Sequence, residues 1–121
     1  MKILVTDDSK TMRMIVVRTL RQAGYDGLEI HEAEDGAQGL ELAGSLEPDL
    51  ILSDWNMPNL SGIEFLRALR AKGSEIPFCF VTSEGSEEMR TLASQAGALG
   101  LIAKPFTAEH FADIIGTVVS A

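Results

Sequence analysis

The stretch LILSDWNMP, residues 50–58, joins a run of apolar residues to an isolated carboxylate. Leu50, Ile51 and Leu52 are consecutive apolar residues, which is typical of a strand buried on both faces of a sheet. Asp54 follows, and Asn56 and Pro58 then indicate a loop. In open α/β sheets, ligands bind beyond the carboxyl ends of parallel strands. The stretch therefore predicts a buried strand with a carboxylate at its end, and that carboxylate is either a solvated loop residue or part of a ligand site.

The rest of the chain repeats this arrangement of a short apolar run followed by a helical pattern. Strands are predicted at 2–6, 28–33, 49–54, 77–82 and 98–104, and a helix follows each of them. Asp35 is the expected N-cap of the second helix, and Ser61 with Glu64 forms a capping-box pattern before the third. Five β–α units predict a doubly wound α/β fold, a three-layer sandwich around a parallel sheet. The flavodoxin-like strand order 2-1-3-4-5 is favoured.

Length and composition limit the classes of function. A chain of 121 residues suits a single domain, and a formal net charge of −8 argues against binding to nucleic acid. No apolar run approaches the ~20 residues of a membrane span, so no membrane association is expected. The single cysteine, Cys79, is expected in the core and fits a reducing compartment, which favours a cytoplasmic location.

Polar side chains follow four of the predicted strands and would meet at one edge of the sheet. They are Asp7 and Asp8 after the first strand, Asp54 after the third, Thr82 and Ser83 at the end of the fourth, and Lys104 after the fifth. Three neighbouring carboxylates repel one another unless a cation lies among them, and Mg²⁺ prefers such oxygen ligands. One of the acids could be a nucleophile for a phosphoryl group. Neither a phosphate-binding glycine-rich loop nor the His and Cys spacing of a zinc site is present.

Four motifs at these strand ends resemble those of the receiver domains of bacterial two-component response regulators. The motifs are DDS, DWNMPNLSG, VTSE and AKPFT, in this order. SDWNMP is especially similar to the single-domain chemotaxis type. The resemblance covers the whole chain and implies one receiver domain over residues 1–121, with no output domain.

The resemblance also implies the roles of the acidic residues and of the lysine. Asp54 is the expected phosphoryl acceptor, and Lys104 is expected to contact the acyl phosphate through its ammonium and to form a cis peptide bond with Pro105. The phosphoryl donor would be a phosphohistidine of a sensor histidine kinase or a phosphotransfer protein. The implied ligands of Mg²⁺ (or Mn²⁺) are Asp8, Asp54, the backbone carbonyl of Asn56 and, through water, Asp7.

A further set of residues is implied to switch or tune the signal. Thr82, with Ser83 beside it, is expected to move towards the phosphoryl oxygens. Glu84 and Asn56 occupy positions that set the lifetime of the phosphoryl group in the family. Leu101 departs from the family pattern, which often has an aromatic residue there, so the usual aromatic gate is absent.

Two modes of action are compatible with these residues. In the first, the phosphorylated protein is a switch that binds a downstream target, such as a flagellar motor or kinase component. In the second, Asp54 acts as a phosphoryl carrier or phosphate sink in a phosphorelay, without an output surface. In both, the protein is expected to be a monomer and not an enzyme, although it assists its own phosphorylation and dephosphorylation.

Four of the ten basic residues lie on the predicted first helix: Lys10, Arg13, Arg18 and Arg21. They predict either a solvated helix face or a docking surface for an acidic partner.

Overall fold

The computed structural model describes residues 1–120, in which five parallel strands form one sheet of order β2-β1-β3-β4-β5. The predicted strand order is therefore confirmed. The strands are β1 (Lys2–Thr6), β2 (Glu29–Ala33), β3 (Leu50–Ser53), β4 (Phe78–Thr82) and β5 (Gly100–Ala103). The helices are α1 (Lys10–Arg21), α2 (Gly36–Leu46), α3 (Gly62–Ala71), α4 (Glu87–Gln95) and α5 (Ala108–Ser120).

The register of the central strands brings their carboxyl ends level with one another. Thr6 of β1 pairs with Ser53 of β3, and both are the last residues of their strands. The next residues along the chain, Asp7 and Asp54, consequently leave the sheet side by side. The sheet thus provides a rigid edge on which the acidic residues lie.

Hydrophobic side chains fill the space on both faces of the sheet. On one face, Val16 and Leu20 of α1 and Phe111 and Ile115 of α5 pack against the strands. On the other, the contributing residues come from α2, α3 and α4, with Phe65 of α3 buried at the centre. Adjacent residues of one strand face opposite layers, as the pleat requires. The result is the predicted three-layer sandwich.

Local capping interactions fix the starts of two helices, as their sequences predict. The Asp35 side chain accepts a hydrogen bond from the Gln38 amide at the start of α2. At the start of α3, the Glu64 amide donates to Ser61 Oγ and the Ser61 amide donates to Glu64 Oε1, which completes the capping box. Both helices follow strands that end at the acidic edge.

Burial differs between the edge and the inner strands of the sheet. β2 lies at one edge, and only its Ala33 is fully buried. Cys79 in β4 is completely buried, as expected for a core residue. Within residues 1–120, none of the helices combines the length and the apolar character that crossing a membrane would require.

Candidate functional site

Three carboxylates converge beyond the carboxyl ends of β1 and β3. Asp7, Asp8 and Asp54 each offer an oxygen, and these oxygens all lie within 4.8 Å of one another. Asp7 is buried with 4% of its surface exposed, Asp54 is half-buried and Asp8 is exposed. The predicted cluster of acids is therefore formed, with one member enclosed by protein and one open to solvent.

Asp7 is the most enclosed member of the cluster. Its amide donates to the Ala33 carbonyl of β2 at 3.1 Å, and its Oδ1 accepts a hydrogen bond from the Ser9 amide at 2.9 Å. Burial raises the pKa of the Asp7 carboxyl, and the neighbouring charge of Asp54 adds to that increase. The Ser9 amide and the Lys104 ammonium act in the opposite direction. An additional cation in this cluster would favour the ionised form further.

Asp54 has its two carboxylate oxygens in different surroundings. Oδ1 accepts a hydrogen bond of 2.7 Å from the Trp55 amide, whereas Oδ2 lies 3.7 Å from Lys104 Nζ. The Asp54 amide donates to the Thr6 carbonyl at 2.9 Å, which continues the pairing of β3 with β1 by one residue. One oxygen is thus held by the chain, and the other faces a cation.

Lys104 extends from the end of β5 towards two of the acids. Its Nζ lies 3.6 Å from Asp7 Oδ2 and 3.7 Å from Asp54 Oδ2, and only 16% of its side chain is exposed. These distances exceed those of direct hydrogen bonds, so the ammonium offsets the charge of both acids without donating a hydrogen bond to either of them. The Lys104–Pro105 peptide bond is cis, in agreement with the resemblance.

The loop after Asp54 is fixed by contacts with two neighbouring elements. The Gly62 amide donates to the Trp55 carbonyl at 2.7 Å, and the Asn59 side-chain amide donates to Asp35 Oδ2 at 2.7 Å. Asn56, whose carbonyl is the implied metal ligand, is an exposed residue of this loop. Its role as a ligand stays a prediction.

Thr82 ends β4 beside the cluster and is completely buried. Its Oγ1 accepts a hydrogen bond from the Glu84 amide at 3.3 Å, so the hydroxyl is oriented towards its own loop. Ser83 and Glu84 are exposed at the start of the β4–α4 loop. The switch and tuning roles of these three residues stay predictions.

Leu101, which occupies the position of the expected aromatic gate, is half-buried in β5. Arg90 of α4 reaches across to this strand, where its Nη1 donates to the Leu101 carbonyl at 3.0 Å. Its Nε donates to the Gly85 carbonyl at 3.4 Å. Arg90 therefore connects α4, the β4–α4 loop and β5 beside a strand position that lacks an aromatic ring.

Arg13 is buried, although the basic residues of the first helix were predicted to form either a solvated face or a docking surface. It is 8% exposed, its Nη1 donates to the Asp7 carbonyl at 2.6 Å, and its Nε lies 3.0 Å from Glu32 Oε1. It is thus part of neither a solvated face nor a docking surface. Its spacing of three and seven residues from Val16 and Leu20, both buried, is the signal that could have placed it inside.

The donor set of the cluster fits a hard divalent cation. Carboxylate oxygens at this separation, one of them open to solvent, match the oxygen coordination and retained water of Mg²⁺. Neither histidine lies in the cluster: His31 Nε2 is hydrogen-bonded to Glu29, and His110 Nδ1 accepts a hydrogen bond from the Thr107 amide. The chemistry of the cluster therefore favours magnesium or manganese over zinc.

Comparisons with known proteins agree with this geometry. The family model described as "Response regulator receiver domain" matches residues 3–116. The chain is 41% identical over 111 residues to the chemotaxis protein CheY of Pseudomonas aeruginosa, covering 90% of this chain and 88% of that protein. It is also 41% identical to CheY-3 of Vibrio cholerae over 110 residues, which cover 89% of this chain and 83% of the relative.

Solved structures show the same fold. The chemotaxis response regulator CheY4 of Vibrio cholerae superposes with a TM-score of 0.82 at 36% identity, covering 97% of both chains. The receiver domain of the putative response regulator NarL from Mycobacterium tuberculosis has a TM-score of 0.89 at 27% identity, covering 99% of this chain and 97% of that one.

Proposed function

The chain belongs to the response regulator receiver family, and on that premise we propose that it is a phosphorylation-dependent signalling switch with Asp54 as its phosphoryl acceptor. The observation that carries the proposal is the position of Asp54, whose carboxylate lies within 4.8 Å of two further acids and 3.7 Å from Lys104. An isolated surface aspartate would have neither the acids for a metal nor the ammonium for a phosphoryl group.

The proposed reaction is an in-line displacement at phosphorus. An Asp54 carboxylate oxygen attacks the phosphoryl group of a phosphohistidine, the P–N bond breaks as the P–O bond forms, and imidazole leaves with the electron pair. Lys104 lies close enough to Asp54 to offset charge on the transferred oxygens. Thr82, at the end of the neighbouring β4, would turn its hydroxyl from the Glu84 amide towards the phosphoryl group.

The metal in this proposal is Mg²⁺ or Mn²⁺, which Asp8, Asp54 and the Asn56 carbonyl would hold directly and Asp7 would hold through water. When bound, the ion supplies positive charge to the acids and to the phosphoryl oxygens. Burial raises the pKa of the Asp7 carboxyl, and a nearby cation would favour its ionised form.

The partners follow from the same reaction. The phosphoryl donor is a sensor histidine kinase or a phosphotransfer protein, and the output is binding to a target protein. Since the relatives described above are chemotaxis proteins, a flagellar motor or kinase component is the proposed target. In this proposal the chain acts as a cytoplasmic monomer and promotes only its own phosphorylation and dephosphorylation, without turning over a separate substrate.

Substitution of the acceptor tests the function directly. Asp54→Asn should abolish labelling by acetyl phosphate in the presence of Mg²⁺, because an amide oxygen is a poor nucleophile. Asp26→Asn, which removes an exposed acid outside the cluster, is the matched control and should be labelled as the native protein is. Labelling of Asp54→Asn at one site with native stoichiometry would refute the assignment of the acceptor.

A phosphoryl carrier or sink is the second candidate, and the absence of an aromatic residue at position 101 favours it. Beryllofluoride, which mimics the phosphoryl group, separates the two candidates. If the protein is a switch, beryllofluoride should change amide hydrogen exchange in α4 and β5, where Arg90 connects to Leu101. A change confined to the loops that carry the acids would support the carrier.

A further inference from the structure

Arg13 is a buried cation with two anchored partners. It lies in the first half of α1, and its side chain is 9% exposed. Removing a guanidinium from water is unfavourable unless its donors are satisfied. The position of Arg13 is therefore determined by the groups that it binds, which are the main chain of Asp7 and the carboxylate of Glu32.

Hydrogen bonds hold the main chain of Asp7 on both sides of its Cα. Arg13 Nη1 donates to the Asp7 carbonyl at 2.6 Å, while the Asp7 amide donates to the Ala33 carbonyl at 3.1 Å. Glu32, the residue before Ala33 in β2, binds Arg13 Nε at 3.0 Å. Strand β2 and helix α1 are thus joined through the guanidinium at the residue where the chain leaves the sheet.

The segment held in this way carries two of the three acids. Asp8 follows the anchored carbonyl directly, and its side chain has no protein hydrogen bond of its own among those found in residues 1–120. The placement of Asp8 opposite Asp54 consequently depends on the main chain of Asp7. Arg13 acts on that main chain and not on the carboxylates.

We propose that Arg13 is a positioning residue for the divalent cation, fixing the Asp7 main chain so that Asp7 and Asp8 face Asp54. The inference rests on the proposed function, because it assumes that the cluster binds Mg²⁺. It adds a residue, Arg13, that touches neither the ion nor the phosphoryl group. Outer residues that orient metal ligands typically change metal affinity by about 10–100-fold when they are substituted.

Mg²⁺ affinity of the folded protein is the measurement that tests this role. Arg13→Gln should raise the Kd for Mg²⁺ by about 10-fold, since it removes the guanidinium fork that links the Asp7 carbonyl to Glu32. Arg13→Lys, with one point charge in place of the fork, should recover part of that affinity. Titration of Trp55 fluorescence well below the melting temperature reports binding without relying on phosphorylation.

Two further variants make the result specific. Arg18→Gln removes an exposed arginine from the same helix and should leave the Kd unchanged. Glu32→Ala removes the second partner of Arg13 from a side chain that is 45% exposed, so the protein should remain folded. Its Kd should rise a few-fold, which keeps the inference testable if Arg13→Gln does not fold.

The outcomes distinguish this inference from the function on which it rests. If the native protein binds no Mg²⁺, the proposed function and this inference both fail. If the native protein binds Mg²⁺ and the folded Arg13 and Glu32 variants bind it equally well, the inference alone is overturned. An equal loss of affinity in Arg18→Gln would show an effect that does not depend on the contacts of Arg13 and would also overturn it.

Discussion

Lys104 Nζ lies 3.7 Å from Asp54 Oδ2, with only 16% of the lysine side chain and 15% of the aspartate side chain exposed. Asp7 Oδ2 lies 3.6 Å from the same ammonium. One cation therefore serves two carboxylates, and the acidic cluster retains an excess of negative charge. This imbalance makes the stability of the fold sensitive to the removal or addition of positive charge at the site.

Removal of the lysine charge should lower stability in the absence of Mg²⁺. Lys104→Met keeps most of the apolar stem but leaves Asp7 and Asp54 without their ammonium. We expect the free energy of unfolding to fall by about 1–2 kcal/mol, a value between those typical of exposed and of buried ion pairs. Urea unfolding at pH 7 measures this change. Lys72→Met, at an exposed lysine after α3, should change stability by less than about 0.5 kcal/mol. Equal stability of the two variants would contradict the role of Lys104 in neutralising the acids.

Addition of Mg²⁺ should raise the melting temperature, because the ion binds only the folded cluster. The increase should be larger for Lys104→Met than for the native protein, since the variant has more uncompensated charge. Thermal unfolding at millimolar Mg²⁺, with the same ionic strength of NaCl as the control, measures the difference. No increase in the native protein would count against a cation site at the acids.

The raised pKa of Asp7 predicts how stability depends on pH. A carboxyl whose pKa is higher in the folded than in the unfolded state binds more protons when folded, so its contribution to stability falls as the pH rises through that interval. At pH 7 the Asp7 carboxyl therefore makes an unfavourable contribution to folding. Asp7→Asn should raise the melting temperature by a few degrees at pH 7 without Mg²⁺.

The advantage of Asp7→Asn should shrink as the pH falls towards and below 3.8, the ordinary pKa of the side chain, where the native carboxyl is protonated in both states. The same variant should lose the stabilisation by Mg²⁺. Asp26→Asn, at an exposed acid, should show neither effect. A stability difference between Asp7→Asn and the native protein that does not change with pH would contradict the burial of an ionised carboxylate at this position.

Trp55 should report the state of the cluster through fluorescence. It is the only tryptophan, its amide donates to Asp54 Oδ1 at 2.7 Å, and its ring centroid lies 4.7 Å from that of Phe80. A cation bound to Asp54 should perturb that amide contact and the ring beside it. The Kd for Mg²⁺ obtained from the fluorescence change should agree with the Kd obtained from the dependence of the melting temperature on Mg²⁺ concentration. If the fluorescence stays constant over Mg²⁺ concentrations at which the melting temperature rises, the indole does not sense the bound ion.

Local signals in the sequence were sufficient for most of the fold and for the central acids. Apolar runs predicted the strands, and the Ser61 and Glu64 pattern predicted the start of α3, because strand burial and helix capping depend on residues close in sequence. The convergence of Asp7, Asp8 and Asp54 followed from the strand order. Parallel strands carry their last residues to one edge of the sheet.

Contacts between distant elements could not be predicted in this way. In α1 the apolar Ile15 is 39% exposed, whereas the charged Arg13 is 8% exposed. The guanidinium is buried because it binds the Asp7 carbonyl and Glu32, which are brought together only by the pairing of β1 with β2. The hydrogen bond from Arg90 to the Leu101 carbonyl likewise joins two elements, α4 and β5. The identities of the two residues do not predict it.

Gly62, the first residue of α3, should be required for the position of Asp54, the proposed phosphoryl acceptor. Its amide donates to the Trp55 carbonyl at 2.7 Å, and a Cβ at this position would overlap the Asp54 carbonyl oxygen. The same Cβ would lie 2.9 Å from Phe80 Cε1 and 3.0 Å from Trp55 Cα, so both backbone and core restrict any movement away. Gly62→Ala should therefore cost about 1–3 kcal/mol, the range for overpacked cores.

Gly44→Ala is the matched control, since Gly44 lies in α2 and a Cβ there would meet nothing within 4 Å. That substitution should stabilise the protein by about 0.5–1 kcal/mol through helix propensity. Urea unfolding should show a lower free energy of unfolding for Gly62→Ala and a higher one for Gly44→Ala, and this result would support the crowding at Gly62. Labelling by acetyl phosphate should also slow in Gly62→Ala but not in Gly44→Ala, because only the first displaces the main chain of Asp54. Native stability together with a native labelling rate in Gly62→Ala would show that the loop after Asp54 accommodates the methyl group.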